Sequence, residues 1–249
     1  MFNCYKLKKM KKYLKDSIDN TGYDKHNIKI PGHMLLCART GAGKTNALFN
    51  YISMCASGKG TFSKIHVVYQ KSEPIYDLLR DIIKDDIVFY DSLTKLPDLN
   101  ELDTEGTQLV IFDDQVNVKD QSKINEYMLR ARKHGNGVQC IYIAQSFFKI
   151  PIFIRQQASY LLILGIASDK DLNNIISVFN CGISREVLKK IFKNAIKEKL
   201  CMFKIALDTS DLNQKFSRNW LDYYTVVDDE LEVIDIKDIQ IFKKSGLHN

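Results

Sequence analysis

The chain has 249 residues, 45% of them hydrophobic, and a formal net charge of +6. That suits one sizeable α/β domain whose core is large enough without staples, and the absence of any apolar run of about 18 residues excludes a transmembrane helix from the expectation. The charge is compatible with an acidic polymer as partner without establishing one.

The chain opens with "MFNCYKLKKMKKYLKDSI", which lacks the apolar centre of a secretion signal. Lys6, Lys8, Lys9, Lys11, Lys12 and Lys15 precede the first acid, Asp16, while Leu7, Met10, Leu14 and Ile18 recur at helical spacing. Residues 1–27 therefore read as a basic amphipathic arm. It either packs its apolar stripe on the domain or touches phosphates or a membrane surface. Turn-rich "DNTGYDKHN" ends it at Asn27.

From Ile28 short apolar runs alternate with helical patterns. Strands are expected over 33–38, 64–70, 86–91, 108–114, 138–145 and 160–165. Helices are expected over 44–56, 73–84 and 121–135, with a short helical piece after Pro151. Beyond Gly165 two more helices, about 169–179 and 184–197, precede a strand over 200–207. Near-continuous apolar strands separated by helices indicate a mainly parallel central sheet with helices on both faces. This reading gives an α/β domain over 28–208 and a C-terminal extension, 209–249, that the pattern leaves open between a short strand and an edge helix.

The six cysteines (Cys4, Cys37, Cys55, Cys140, Cys181 and Cys201) are scattered, with neither zinc-type spacing nor a dense framework, which points to a reducing compartment. The five histidines are equally dispersed, so no His/Cys metal site is expected.

Chemistry concentrates in "ARTGAGKT", Ala38, Arg39, Thr40, Gly41, Ala42, Gly43, Lys44 and Thr45. It matches G-x-x-x-x-G-K-[ST] except that Ala38 stands at the first position. Gly41 and Gly43 permit positive φ and close backbone approach. Consecutive amides can then form an anion nest at a helix N-terminus. Lys44 would meet the β- and γ-phosphates of ATP, and the Thr45 hydroxyl would ligate Mg²⁺. The match lies between an expected strand and an expected helix, the context this loop requires.

A second strand, "LVIFDDQ", ends in two acids. Asp113 falls at the carboxyl end, where ligands of parallel sheets bind, and is positioned to hold Mg²⁺ through a water. Asp114 would orient and deprotonate an attacking water. The pair argues for hydrolysis and against a small-molecule kinase. Gln145, ending "VQCIYIAQ", would point at the γ-phosphate and sense its loss. The strands at 64–70 and 86–91 supply material for one inserted between phosphate loop and acidic pair, the layout of additional-strand ATPases.

With these motifs, "AQSFFKIPIFIRQQASYLLILG" resembles packaging ATPases of large eukaryotic DNA viruses and virophages, members of the FtsK–HerA superfamily. Gln145, Ser146, Phe147, Phe148, Pro151, Ile154 and Arg155 carry the likeness, which spans about residues 30–165. The resemblance implies a RecA-like P-loop ATPase that moves double-stranded DNA into a preformed capsid. It implies a ring, usually a hexamer, docked on capsid vertex proteins in the host-cell cytoplasm or the virion. It also implies a neighbour's arginine at the γ-phosphate. In "RARKHGNG", Arg132 matches the family's arginine and Lys133 replaces its usual histidine, so Arg132 is the first candidate, with Arg130 and Arg155 behind it. Sequence-neutral contacts to the DNA backbone would come from the arm and from Lys193, Lys197 and Lys199. A helicase or DNA-transfer motor of the same superfamily would share every one of these residues. A nucleotide-gated vertex scaffold with little turnover is the other rival.

Overall fold

The computed structural model describes residues 27–55, 61–165, 169–179, 181–227 and 230–235. The basic arm over 1–27 lies outside these, except for Asn27, as does the end of the C-terminal extension.

Strand β1 (Met34–Ala38) is buried at every residue. It is apolar throughout because parallel strands flank it and both its faces are covered. Helix α1 (Lys44–Cys55) follows, and Ala47, Leu48, Tyr51, Ile52 and Cys55 turn one stripe onto the sheet. Next come β2 (Lys64–Tyr69), α2 (Pro74–Ile83), β3 (Ile87–Tyr90) and β4 (Gln108–Asp113). Pro74 opens α2, where its missing N–H costs nothing, and Tyr76 and Leu79 bury the inner face.

Helix α3 (Ser122–Arg130) tightens into a 3₁₀ turn over 131–133 before β5 (Val138–Ala144). Gly135 and Gly137, at φ 52° and 98°, let the chain reverse between them. The short α4 (Ile152–Gln156) leads into β6 (Tyr160–Leu164). Then α5 (Asp169–Val178), α6 (Arg185–Ala195), β7 (Phe203–Ala206), the single turn α7 (Leu212–Lys215), β8 (Phe216–Arg218), β9 (Asp222–Val227) and β10 (Glu230–Asp235) complete the described chain. Helix α6 is capped by Ser184, whose hydroxyl accepts from the Val187 amide.

The strands form one sheet in the order β10-β9-β8-β7-β6-β1-β5-β4-β2-β3. From β6 to β3 the pairing is parallel; from β6 outward through β7, β8, β9 and β10 it is antiparallel. Two apolar clusters sandwich it, one built with α1 and α2, the other with α3, α4, α5 and α6. This is the expected α/β fold with helices on both faces.

A strand does separate β1 from β4, but it is β5. The strands expected to supply it, at 64–70 and 86–91, lie on β4's far side as β2 and β3. Right-handed crossovers constrain which strands can neighbour, but apolar runs of similar length carry no label of order. Past residue 208 the sheet continues: β8 pairs with β7 and β9 with β8. Trp220 stacks on Tyr51 of α1 with ring centroids 5.2 Å apart, fixing this stretch to the body of the protein.

Candidate active site

Three parallel strands end side by side at one edge of the layered structure. The register pairs Cys37 of β1 with Ala144 of β5, and Asp113 of β4 with Ile143. The phosphate loop leaving β1, Gln145 leaving β5 and Asp113–Asp114 leaving β4 therefore meet at the carboxyl ends of the strands, where ligands bind in such sheets.

The loop from Arg39 to Gly43 is held by two backbone bonds, Arg39 N–H to the Gly165 carbonyl and Ala42 N–H to the Arg39 carbonyl. Gly41 and Gly43 take φ 76° and 98°. A Cβ placed on Gly41 would meet nothing within 4 Å, so the loop faces open space there. The Ala47 amide donates to Gly43 and begins the helical ladder, so the amides of Lys44 and Thr45 precede it. Those early amides need an acceptor from outside the helix, and the helix dipole favours an anion.

Lys44 reaches across the site. Its Nζ lies 3.3 Å from Asp113 Oδ1 and 3.2 Å from Glu73 Oε1. Burial works to lower its pKa, but the charges of Asp113 and Glu73 outweigh that and raise it. Asp113 is buried and accepts a hydrogen bond from the Tyr76 hydroxyl through its second oxygen. Burial raises the Asp113 carboxyl above the usual carboxylate range, although the Tyr76 bond and Lys44 oppose this. Thr45 Oγ1 donates to Glu73 Oε2 at 2.8 Å.

Asp114 adopts the left-handed conformation, φ 53° and ψ 35°, which aspartate tolerates better than most residues. Its amide bonds the Ile143 carbonyl of the neighbouring strand, and its Oδ2 accepts from Gln145 Nε2 at 3.2 Å. Gln145 Oε1 in turn receives Thr40 Oγ1 at 3.4 Å. The glutamine thus links the phosphate loop to the acidic pair. These groups line a cavity of ≈ 630 Å³, together with Lys71 and Ser72.

The donors present fit a nucleotide and its magnesium. The loop offers early helix amides and an ammonium, and Thr45, Asp113 and Asp114 offer hard oxygen ligands. Among the described residues no three His, Cys, Asp or Glu side chains could hold a metal by themselves. A magnesium ion here would keep waters and phosphate oxygens in its shell, as that ion commonly does.

Two site residues escaped the sequence reading, Glu73 and Tyr76. The only signal was positional: "SEPIY" follows a strand that ends at the same edge of the sheet. The three candidate arginines stand elsewhere. Arg132, in the turn before β5, directs its guanidinium inward to the Gln157 carbonyl. Arg130 pairs with Glu126 at the surface. Arg155 lies over the Phe147 ring, 5.0 Å from its centroid. Lys193, Lys197 and Lys199 are exposed, and Leu200, next in the chain, lies beside Gly43 of the phosphate loop. No helix among the described residues is long and apolar enough to cross a membrane.

The inserted strand, the loop and the facing acids define a P-loop NTPase fold. No protein-family model and no curated protein matches the chain. Among solved structures it is similar to the genome packaging NTPase B204 from Sulfolobus turreted icosahedral virus 2. The sulfate complex of that protein gives a TM-score of 0.56 at 16% identity, covering 77% of this chain and 97% of that one. Its AMPPCP complex gives 0.55 at 17% identity, covering 76% and 97%. B204, the DNA-packaging ATPase from Sulfolobus Turreted Icosahedral Virus, gives 0.52 at 14% identity, covering 76% and 97%. At these identities the likeness is one of fold.

Proposed function

We propose that this protein is a magnesium-dependent ATPase that drives double-stranded viral DNA into a preformed capsid, working as a ring. The observation that carries the ATPase reading is the meeting of Lys44 and Asp113 from two strand ends, with Thr45 beside one and Asp114 beside the other. The packaging reading is supported by the B204-like fold over about three quarters of the chain and by the order of motifs between residues 30 and 165.

In this reading the loop amides and Lys44 bind the phosphates and orient the γ-phosphoryl group. Magnesium, when bound, would neutralise charge on the phosphate oxygens, and Thr45 and Asp113 would hold it. Asp114 accepts a proton from the attacking water, and Gln145 keeps that carboxylate aligned with the phosphate loop. An arginine from a neighbouring subunit adds positive charge as phosphoryl transfer proceeds.

The test is steady-state hydrolysis by the purified full chain, with and without blunt duplex DNA. Turnover that requires Mg²⁺ and rises with duplex is expected of a motor. No turnover in either condition overturns the ATPase reading. Turnover indifferent to duplex, or coupled to the unwinding of forks, overturns the packaging part alone.

A further inference from the structure

Glu73 stands immediately before α2, at the N-cap position, with φ −117° and ψ 148°. An aspartate there would ordinarily turn back and accept from the first amides of its own helix, whereas the longer glutamate is not among the preferred caps. Glu73 makes no such side-chain bond. Pro74 at the next position has no N–H to satisfy, and the carboxylate instead extends across the cavity. One oxygen pairs with Lys44 at 3.2 Å and the other accepts from Thr45 Oγ1 at 2.8 Å. These two atoms are the ones that a phosphate group and its metal need.

We infer that Glu73 is a built-in anion seated on Lys44 and Thr45, which incoming phosphate must displace, and that it thereby makes the site select metal-complexed over metal-free triphosphate. The inference rests on the nucleotide reading given above. Its physical basis is competition for the same donors combined with charge. Lys44 and Lys71 face three carboxylates in the cavity: Glu73, Asp113 and Asp114. A metal-free triphosphate entering that set brings more negative charge beside an anion that has just lost its partners. A divalent cation arriving with the triphosphate gives the displaced carboxylate a new counter-charge, directly or through a coordinated water. Glu73 thus penalises the free nucleotide and not its complex. With no nucleotide bound it also keeps the Lys44 ammonium from being left half-buried with Asp113 as its sole counter-ion.

The experiment measures binding of a fluorescent ATP analogue to wild-type full chain, Glu73→Gln and Glu73→Ala, once with excess EDTA and once with excess Mg²⁺. Glutamine keeps the shape and removes the charge; alanine removes both. Both variants are expected to bind the metal-free analogue about tenfold more tightly than wild type, a factor in keeping with losing one charge-assisted competing contact. Affinity for the magnesium complex should change by less than about threefold, so the ratio of the two constants narrows. Cooperative thermal unfolding of each ligand-free variant checks that the fold survives. Unchanged or weaker metal-free binding in both variants overturns the role of Glu73. So does loss of affinity confined to the magnesium condition, which would make Glu73 a metal ligand only. If none of the three proteins binds the analogue in either condition, the nucleotide reading falls as well. Binding by wild type with an unmoved ratio defeats only the selectivity claim.

Discussion

At Asp113 stability and chemistry pull in opposite directions. Its folded-state pKa lies above the ordinary value of an acid, chiefly through burial. A raised acid pKa means the folded chain holds the proton more tightly than the unfolded one, so ionising this group costs stability. That cost is absent below the unfolded pKa, grows as pH rises from the unfolded to the folded pKa, and is full above the latter. Asp113→Asn should therefore raise the neutral-pH stability of the nucleotide-free protein by up to about 1 kcal/mol, while abolishing Mg²⁺-dependent hydrolysis. The stability gain should shrink as pH falls toward about 4, which urea titrations at several pH values would reveal. A variant that is less stable at neutral pH would contradict the burial account. Lys44→Ala acts the other way. It strips Glu73 and Asp113 of a shared cation and should cost about 1–3 kcal/mol, with loss of analogue binding. Lys44, Thr45 and Asp113 were legible in the sequence because fixed spacing within one loop, and an acid at the end of an apolar run, are local patterns. Glu73 was not, because its partners are 28 and 29 residues away and only the fold brings them near.

Strand β5 shows what an element contributes beyond its own residues. By lying between β1 and β4 it delivers Gln145 to a point from which both the loop and Asp114 are within reach. Removing that side chain leaves each binding group in place but uncouples them. Gln145→Ala should lower kcat by about 10- to 100-fold and leave the dissociation constant of an ATP analogue within about threefold, the split expected when an alignment is lost and ground-state binding is not. Equal losses in both would assign the glutamine to binding. The existence of β5 was plain from "VQCIYIA", whereas its place in the sheet was not: two earlier strands of like composition were equally eligible. The stretch after residue 208 was opaque for another reason. Strand β8 has only three residues, too few for an alternation to show. Its neighbour β7 was legible within 200–207 although Lys204 lies buried in mid-strand, its ammonium donating to the Trp220 carbonyl and the Tyr223 hydroxyl. The same contacts make a prediction: Trp220→Ala, which empties a buried ring site against Tyr51, should cost about 3–5 kcal/mol of stability in thermal or denaturant unfolding.

For the whole molecule, the proposed mechanism requires that one chain complete the site of another, and the arginines differ in how freely they could do so. Arg130 is exposed and pairs with Glu126 one helical turn away. Arg132 would have to give up its bond to Gln157, and burial already lowers its pKa below the usual guanidinium value. Arg155 would have to leave the face of Phe147. Loss of activity in a single Arg→Ala variant cannot separate a trans role from a folding defect, but complementation can. A Lys44→Ala subunit has no working phosphate loop yet presents every arginine intact. An Arg→Ala subunit lacking the trans group has a working loop. Neither should hydrolyse ATP alone. Mixed in equal amounts and assembled at random around a head-to-tail ring, about a quarter of interfaces would pair a good loop with a good arginine, so activity should return toward that fraction of wild type. An arginine that only supports its own chain gives no such recovery, because its defective subunit stays defective beside any neighbour. The assay is steady-state turnover of each mixture with duplex DNA present, alongside the mass of the assembly in solution with an ATP analogue. Recovery with one of Arg130→Ala, Arg132→Ala or Arg155→Ala would identify the residue that acts across the interface. No recovery with any of the three, in particles shown to be mixed rings, would mean that the site is completed within one chain, and the ring would then be needed for gripping DNA and not for the chemistry.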